Sequence, residues 1–493
     1  MKWTLITALL ACACALTPAY GSTNHRIFTN TVFNCWGWWD DPAVFRDYVD
    51  ASKARGFNAI NLDVSWNTER EDGSYDFSQF DDQARYVISK DMWVFVRVNC
   101  STIGDKIPYW FTDEHLMRNP DGSIYRHEHG GTVPCITHPV VLEKMVRFCG
   151  AVSKHCDSAF PLRPSGADPI VCLILSFTPT MECEYFFAGE LDFSESATKG
   201  FATWLHGEYS SIQDLNAKWG TDYTDWGDIE LVSAHPTAKQ LYFENTLQVL
   251  YDSTGQAIHK ASQRMKAGLQ TGCIWDIPLR RTMRVTRLMR NLDWLFVADA
   301  PTYPHDFSTD YLRCSVPGKK VSNEIDGPYT KATNDEFARQ AVQVYEHGAN
   351  VLHCANWPKK DLCDRQTWTF FDSGAKLARQ PMVVPKPTVA ICLSTWDLIN
   401  QEQYGSNLQA YQAAYRRLSN DGRNAVDIIP DQVIIDDPAA LAKYEKVYLP
   451  LNCVVPPRVR EALANYAGEV VIEQPDQAGT KDEYGRRVSG LRR

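Results

Sequence analysis

The chain has 493 residues, 44% of them hydrophobic and 22% charged, which is typical of a globular protein rather than a disordered or fibrous one. Its formal net charge is −10, and this acidity makes nucleic acids and anionic membrane surfaces unfavourable partners. The length allows either several domains or one large α/β barrel with an accessory domain.

The first segment, MKWTLITALLACACALTPAYGS, predicts a signal peptide. A lysine at position 2 is followed by an apolar run and then by small residues, the pattern of a leader that is removed after Gly21. We therefore expect residues 1–21 to be cleaved and the mature protein to be secreted or periplasmic. The letters LLAC at 9–12 loosely resemble a lipobox, so a lipid-anchored form is the alternative. No other segment is long and apolar enough to predict a membrane span.

Between residues 22 and 378, short apolar segments alternate with amphipathic ones. The predicted strands are 31–38, 58–66, 92–99, 170–177, 269–275, 294–303, 319–324 and 350–357. The helices between them include 41–56, with a proline near its start and a glycine at its end. Near-continuous apolar strands joined by helices predict parallel strands covered on both faces. Eight such units predict a (β/α)8 TIM barrel. The rival is an open doubly wound sheet, but no phosphate-binding glycine fingerprint follows the first strand.

A proline-rich stretch at 379–387 predicts an interdomain linker. After it, residues 388–480 alternate between short apolar strands and helices, as in a small α/β domain of flavodoxin-like type. This segment has few polar groups at its strand ends, so we expect no second active site in it. The last residues, 481–493, are polar and are expected to form a loose tail.

The 15 cysteines contain no CxxC pair, and several lie inside apolar runs. We expect mostly buried free thiols, with one or two disulfides as the alternative in an oxidising compartment. The sequence HEHGG at 127–131 offers two imidazoles two residues apart, without further ligands nearby. We predict neither a metal site nor a cofactor.

Carboxylates at the ends of the predicted barrel strands are the candidates for chemistry, because barrel active sites form at the carboxyl ends of the strands. These carboxylates are Asp63, Glu69, Glu182, Glu184, Asp299 and Glu324. A glycosidase needs two carboxyl groups that face one bond, one protonated and one ionised. Strands four and seven lie across a barrel from each other, so Glu182 or Glu184 can face Glu324. Glu69 is expected to fix a loop.

Several segments resemble family 42 of the glycoside hydrolases, the β-galactosidases of clan A. The most specific one is WLHGEYSSIQDLNAKWGT, within 201–229, and the segment LDVSWNTEREDGSYDFSQFDDQARYVISKDMWVFVRV resembles the second and third barrel units. ADAPTYP at 298–304 and VSNEIDGP resemble the ends of strands six and seven. The residues after the linker are similar to the family's trimerisation domain. The resemblance covers most of 30–485.

This resemblance implies that Glu182 is the general acid/base and Glu324 the nucleophile. The clan places an Asn before the acid, a residue that contacts the sugar 2-hydroxyl, and here Met181 occupies that position. The segment TPTMECEY also resembles, faintly, a β-amylase motif, and that alignment again selects Glu182. Glu184 is then a supporting or subsite residue.

The resemblance assigns further substrate-binding positions. Tyr303 matches the tyrosine that holds the nucleophile, and Trp357 matches the tryptophan under the sugar ring. Arg97 is predicted to pair with Glu324 and keep it ionised, with a barrel-interior salt bridge as the alternative. Tyr185 and Glu184 are further substrate-binding candidates. Trp38 is expected to line the sugar subsite, with packing at the top of the barrel as the alternative. For Trp357 and Tyr303 the alternative is plain packing.

The sequence thus predicts an exported retaining β-glycosidase, β-galactosidase-like, that removes terminal β-linked sugars from an oligosaccharide or glycoside by double displacement. Because of Met181, a β-mannosidase or another exo-β-glycosidase stays open, as does a non-catalytic sugar-binding barrel. An α-glucan hydrolase of β-amylase type is a third, weaker alternative. The resemblance further implies a homotrimer.

Overall fold

The computed structural model describes residues 26–31, 40–103, 107–127, 130–185, 191–272, 275, 284–297, 304–326, 333–355, 371–382, 385–400, 407–420 and 425–491. Eight parallel strands close into a barrel in chain order, with the last strand paired to the first. The predicted (β/α)8 barrel is confirmed. The predicted signal peptide lies outside the described residues.

The barrel strands are β1 Ile27–Thr31, β2 Ala59–Ser65, β3 Trp93–Asn99, β4 Ile170–Ser176, β5 Ala267–Thr271, β6 Trp294–Val297, β7 Lys320–Asp326 and β8 Val351–Ala355. The first strand was predicted at 31–38. The described strand begins earlier, at Ile27, and residues 32–39 lie outside the described residues. The strand Ile27–Thr31 is half polar, so its apolar signal is weak, and it closes the barrel by pairing Ile27 with Val351.

The barrel helices are α1 Pro42–Ala54, α2 Ser78–Ser89, α3 Pro139–Ala159, α4 Glu195–Glu208, α5 Ile212–Trp219, α6 Pro236–Ala261, α7 Val285–Leu288, α8 His305–Ser315, α9 Asn334–Glu346 and α10 Asp372–Ala378. Their ends carry the expected signals. The side chain of Asp41 caps α1 by accepting from the Ala43 N–H, and Thr333 and Glu336 form a capping box on α9.

The inward faces of the strands divide the barrel interior into two levels. The lower level is apolar and contains Ile27, Ala59, Phe95, Cys172, Ile174, Trp294, Phe296 and Val351. Because successive strand residues point to opposite faces, the next inward positions toward the carboxyl ends include Asp63, Arg97 and Gln270, and Arg97 contacts both of the others. The upper level is therefore polar, and it lies where barrel chemistry takes place.

After the linker, the chain forms a second sheet of four parallel strands in the order β10–β9–β11–β12. Its strands are β9 Val389–Leu393, β10 Asp427–Pro430, β11 Lys446–Leu449 and β12 Glu469–Ile472, and its helices are α11 Thr395–Ile399, α12 Asn407–Ser419, α13 Asp431–Asp436 and α14 Pro457–Ala464. This order is that of the first strands of a flavodoxin-like sheet, which agrees with the predicted small α/β domain.

Buried charges join the second domain to the barrel. Arg313 on α8 contacts both Asp310 and Asp427, the first residue of β10. Asp310 also accepts hydrogen bonds from Tyr415 at 2.7 Å and lies 2.8 Å from Nδ1 of His347. The network crosses the domain boundary, so we expect the domains to unfold together rather than separately.

The terminal segment was predicted to be a loose tail, and through residue 491 this is wrong. The Tyr484 hydroxyl lies 2.6 Å from the Tyr209 hydroxyl of the barrel. Arg486 donates to the Ala217 carbonyl, and Asn400 donates to the Glu483 carbonyl at 3.2 Å. The sequence did not predict this packing because the segment is polar. Its contacts are made by hydroxyls, a guanidinium and backbone groups rather than by apolar side chains.

Two other expectations bear on the chain as a whole. All ten described cysteines are buried and unpaired, as expected for structural thiols. None of the helices in the described ranges has the length and apolarity that crossing a bilayer requires.

Candidate active site

Glu182 is held at the carboxyl end of β4 by a closed turn. Its N–H donates to the Thr178 Oγ1 at 3.0 Å, and its carbonyl accepts from the N–H groups of Phe177 and Thr178, both at 3.1 Å. The Thr178 hydroxyl lies 3.4 Å from Oε2 of the Glu182 carboxyl group. The turn fixes the backbone on both sides of this carboxyl group, which is 7% exposed.

Glu184 occupies a different environment from Glu182. Between them, the Cys183 N–H donates to the Gln270 carbonyl at 2.7 Å, so the chain continues alongside β5. The Glu184 Oε2 then accepts from the Gly272 N–H at 3.1 Å, and the residue is fully buried. This contact joins the ends of two neighbouring strands, which fits the predicted supporting role.

Glu324 lies near the end of β7 and is 6% exposed. Its Oε2 is 3.4 Å from Nδ1 of His353, an inward residue of the neighbouring strand β8. Its carbonyl lies 3.2 Å from Nε2 of His305. Burial, reinforced by the positive charge of Arg97, lowers the pKa of His353 to about 3. The contact between His353 and Glu324 is therefore between a neutral imidazole and a carboxyl group at neutral pH.

Arg97 is fully buried inside the barrel. Its Nη1 is 3.2 Å from Asp63 Oδ1, and its Nη2 donates to Gln270 Oε1 at 3.0 Å. This is the barrel-interior salt bridge that was the alternative for Arg97. Its effect on the His353 pKa shows that its charge also reaches the group beside Glu324. A direct pair with Glu324 stays a prediction.

Met181, directly before Glu182, has an unusual backbone. Its φ is +74°, in the left-handed region that a long side chain rarely adopts. Its side chain is buried, and Sδ accepts a hydrogen bond from Asn99 Nδ2 at 3.3 Å. Strained backbone of this kind is concentrated at functional sites, so the observation marks the segment around Glu182.

Some of the other predicted residues lie in the described part of the chain, and some lie outside it. Tyr185 packs edge-on against Phe243 of α6, and its hydroxyl lies 2.7 Å from that of Thr246. This position supports the end of the strand, and a substrate contact for Tyr185 stays a prediction. Glu69 contacts Trp110 and Lys144, at 2.9 and 2.8 Å, as expected for a residue that fixes loops. Trp38, Asp299, Tyr303 and Trp357 lie outside the described residues.

The inward polar residues missed from the sequence include Asn99, Gln270 and His353. Each lies in a strand that was predicted as apolar. The signal that could have found them is the alternation of inward and outward positions, since the inward members of a barrel strand turn polar only where the apolar floor ends.

Glu182 and Glu324 supply two buried carboxyl groups of the kind that acid/base and nucleophilic chemistry uses. They lie at the ends of β4 and β7, with a neutral imidazole and an internally paired guanidinium near the second one. Among the described residues, no group of three or more His, Cys, Asp or Glu side chains could hold a metal ion.

Comparison with known proteins places this barrel among related ones. The model of glycoside hydrolase family 42, described as β-galactosidase, matches residues 37–252. A β-galactosidase of Bifidobacterium bifidum is 26% identical over 191 residues, which is 36% of this chain and 24% of that protein. A β-galactosidase of Geobacillus sp. is 23% identical over 212 residues, or 40% and 28% of the two chains. The chain therefore matches about a quarter of the length of these curated relatives.

The fold extends the likeness beyond the matched segment. The crystal structure of a β-galactosidase from Rahnella sp. R3 superposes with a TM-score of 0.75 at 17% identity, covering 95% of this chain and 74% of that one. At this identity the match concerns the fold alone. Taken with the family match over residues 37–252, it leads to the conclusion that the chain is similar to the β-galactosidases of glycoside hydrolase family 42.

Proposed function

We propose that this protein is an exported retaining β-glycosidase of β-galactosidase type, acting on terminal β-linked sugars of a glycoside or oligosaccharide. The observation that carries this proposal is the pair of buried carboxyl groups, Glu182 and Glu324, toward the carboxyl ends of barrel strands β4 and β7. Such a pair is the machinery of most glycosidases.

In the proposed mechanism, Glu324 attacks the anomeric carbon while Glu182 gives its proton to the leaving oxygen. A glycosyl ester on Glu324 results. Glu182 then takes a proton from water, which attacks the same carbon and releases the sugar with its original configuration. The turn from Thr178 to Glu182 supports this role, because it holds the acid in one position through both steps.

Hydrolysis of aryl β-galactosides by the purified protein tests the activity. Proton NMR of the first product formed tests the mechanism: a β-configured sugar is expected, and an α-configured one refutes double displacement.

A different terminal sugar is the second candidate, and Met181 favours it. A buried thioether that accepts from Asn99 stands directly before the acid, where the resemblance leads one to expect an amide. A thioether is a weaker hydrogen-bond acceptor than an amide oxygen and cannot donate. A panel of nitrophenyl β-glycosides, with galactosides and mannosides side by side, decides between these substrates.

We further propose export and a homotrimer. The leader-like sequence at 1–21 supports export, which N-terminal sequencing of secreted protein tests by finding Ser22 first. The resemblance of 388–475 to a trimerisation domain supports the trimer, as does a groove of about 860 Å3 there, lined in part by Leu441, Tyr444 and Tyr466. Light scattering that gives the mass of one chain at all concentrations refutes the trimer.

A further inference from the structure

Three polar side chains form one rung at the carboxyl end of the barrel. Asn99 on β3 is in register with Ser65 on β2 and with Ser176 on β4. Asn99 stands two residues after Arg97, which reaches Gln270 across the barrel interior. Residues two apart on a strand share a face, so the rung faces the interior. It lies beside the turn that carries Glu182.

The Asn99 amide is held in one orientation. Its Oδ1 accepts from the Ser101 N–H at 2.9 Å, which assigns oxygen and nitrogen to their positions. Its Nδ2 donates to the Met181 Sδ at 3.3 Å. Ser101 is fixed in turn, because its carbonyl accepts from Trp66 Nε1 at 2.9 Å. The amide is therefore preorganised rather than mobile.

This rung has hydrogen-bonding capacity to spare. An amide nitrogen carries two hydrogens, and among the described residues only the Met181 sulfur accepts one from Asn99. The Ser65 hydroxyl oxygen is buried and has no hydrogen-bond partner within the described ranges. Buried polar groups are nearly always paired, and an unpaired donor costs free energy. A buried hydroxyl without a partner among the described residues and a spare amide hydrogen stand on one rung beside a candidate catalytic acid, as a site for a polar ligand requires.

We propose that Asn99 and Ser65 bind a hydroxyl group of the sugar ring held between Glu182 and Glu324. This inference rests on the proposed function for its ligand class, a β-linked sugar. Asn99 donates its second N–H to a ring hydroxyl oxygen. A second hydrogen bond joins that ring hydroxyl and the Ser65 hydroxyl, with either of the two as donor. The amide that the resemblance places at position 181 is here supplied from the neighbouring strand.

Met181 is the positioning residue for Asn99. Its sulfur is a weak acceptor, so it fixes the direction of the amide without competing strongly for it. Replacement by leucine keeps an apolar side chain but removes the acceptor. We expect Met181→Leu to weaken selectivity for the hydroxyl-bearing sugar less than Asn99→Ala does.

The test compares a parent aryl glycoside with its singly deoxygenated analogues. The variants are Asn99→Ala and Ser65→Ala, with Asn61→Ala as control. Asn61 is also a buried inward residue of β2, but it is in register with Phe95 of the apolar floor. Ser65→Ala removes a hydroxyl that has no partner among the described residues, so it tests the proposal even if Asn99→Ala does not fold.

We expect Asn99→Ala and Ser65→Ala to lower kcat/KM for the parent about three- to tenfold, the value of one neutral hydrogen bond. For one deoxy analogue, the one that lacks the contacted hydroxyl, the loss should vanish. Asn61→Ala should affect all analogues equally. Equal losses on every analogue in both test variants overturn the proposal.

Calorimetric binding of the same analogues to the Glu324→Gln chain, with and without each substitution, repeats the comparison without turnover. A wild-type chain that binds these glycosides but hydrolyses none refutes the proposed function while the hydroxyl contact stands on the binding pattern. A chain that binds none of them overturns the contact as well.

Discussion

His353 and Glu324 meet inside the barrel with 3.4 Å between Nδ1 of the imidazole and Oε2 of the carboxyl group. The other ring nitrogen of His353 is hydrogen-bonded to the Thr31 hydroxyl. The pKa of this histidine is lowered to about 3 by burial and by Arg97. Three adjoining strands, β1, β8 and β7, therefore place a neutral ring against the proposed nucleophile, where it can orient the carboxylate without neutralising its charge.

Because His353 is neutral throughout the working range, its removal should change rate but not pH dependence. We expect His353→Gln to lower kcat while the midpoints of the pH–rate profile between about pH 5 and 8 stay within about 0.3 units of the wild type, since a group with pKa near 3 does not titrate there. A profile whose acidic midpoint shifts by a full unit would mean that the imidazolium takes part.

The two glutamates should fail differently when replaced. Glu324→Ala removes the nucleophile and should abolish turnover of every substrate. Glu182→Ala should lower kcat about 10²- to 10⁴-fold for glycosides with poor leaving groups, but much less for nitrophenyl leaving groups, which need little protonation. Added azide should accelerate the second step in Glu182→Ala and yield a β-glycosyl azide.

Glu184→Ala is the matched control for this pair. Its carboxyl group accepts from the Gly272 N–H at the end of β5, so its loss should lower stability and not create azide rescue. Rescue in Glu184→Ala, with none in Glu182→Ala, would move the acid by two residues.

The contact between the domains should make stability depend on pH. Burial alone lowers the pKa of His347, but the hydrogen bond and charge of Asp310 outweigh it and raise that pKa above 6.5. A raised folded pKa means that the stabilisation is fully present below the unfolded pKa, about 6.5, and is lost as pH rises through the folded value.

The wild type should therefore melt at a higher temperature near pH 6 than near pH 8, with a smaller difference in His347→Gln. Thermal unfolding of both chains across this range measures the difference, and other titrating groups cancel in the comparison. If the melting temperature depends on pH equally in the two chains, His347 does not contribute to the pH dependence of stability.

The terminal segment should be protected by its contact with the barrel. Tyr484 reaches Tyr209, and Arg486 donates to the Ala217 carbonyl. Tyr484→Ala should expose the peptide bonds after Arg486 and Arg487, so trypsin should cut there several times faster than in the wild type. Tyr484→Phe keeps the ring and should show a smaller increase. Equal cutting rates in all three chains would mean that the segment is loose after all.

The sequence predicted the barrel well because eight apolar strands separated by helices leave few alternatives. It placed Glu182 after strand four and Glu324 near the end of strand seven, which agrees with β4 Ile170–Ser176 and β7 Lys320–Asp326. The catalytic roles of both residues stay predictions. It began the first strand at residue 31 instead of 27, since the aromatic run at 32–39 has a stronger apolar signal than the half-polar strand Ile27–Thr31.

Contacts between distant segments were harder to predict. The choice between Asp63 and Glu324 as the partner of Arg97 depends on side-chain direction and barrel register, which a local pattern does not carry. The same is true of His353 beside Glu324, which are in register on neighbouring strands, and of Asn99 beside Met181, which the turn after β4 brings next to β3. The packing of Tyr484 against Tyr209 joins residues 275 positions apart.

The central claim is that Glu324 becomes covalently attached to the sugar. The most direct test treats the protein with a 2-deoxy-2-fluoro glycosyl fluoride that carries the terminal sugar of its best substrate. This reagent slows the second step, so the ester accumulates. Mass spectrometry then maps the modified peptide. We expect one added glycosyl group per chain, on Glu324. A glycosyl group on Glu182, on Glu184 or on any other residue would contradict it.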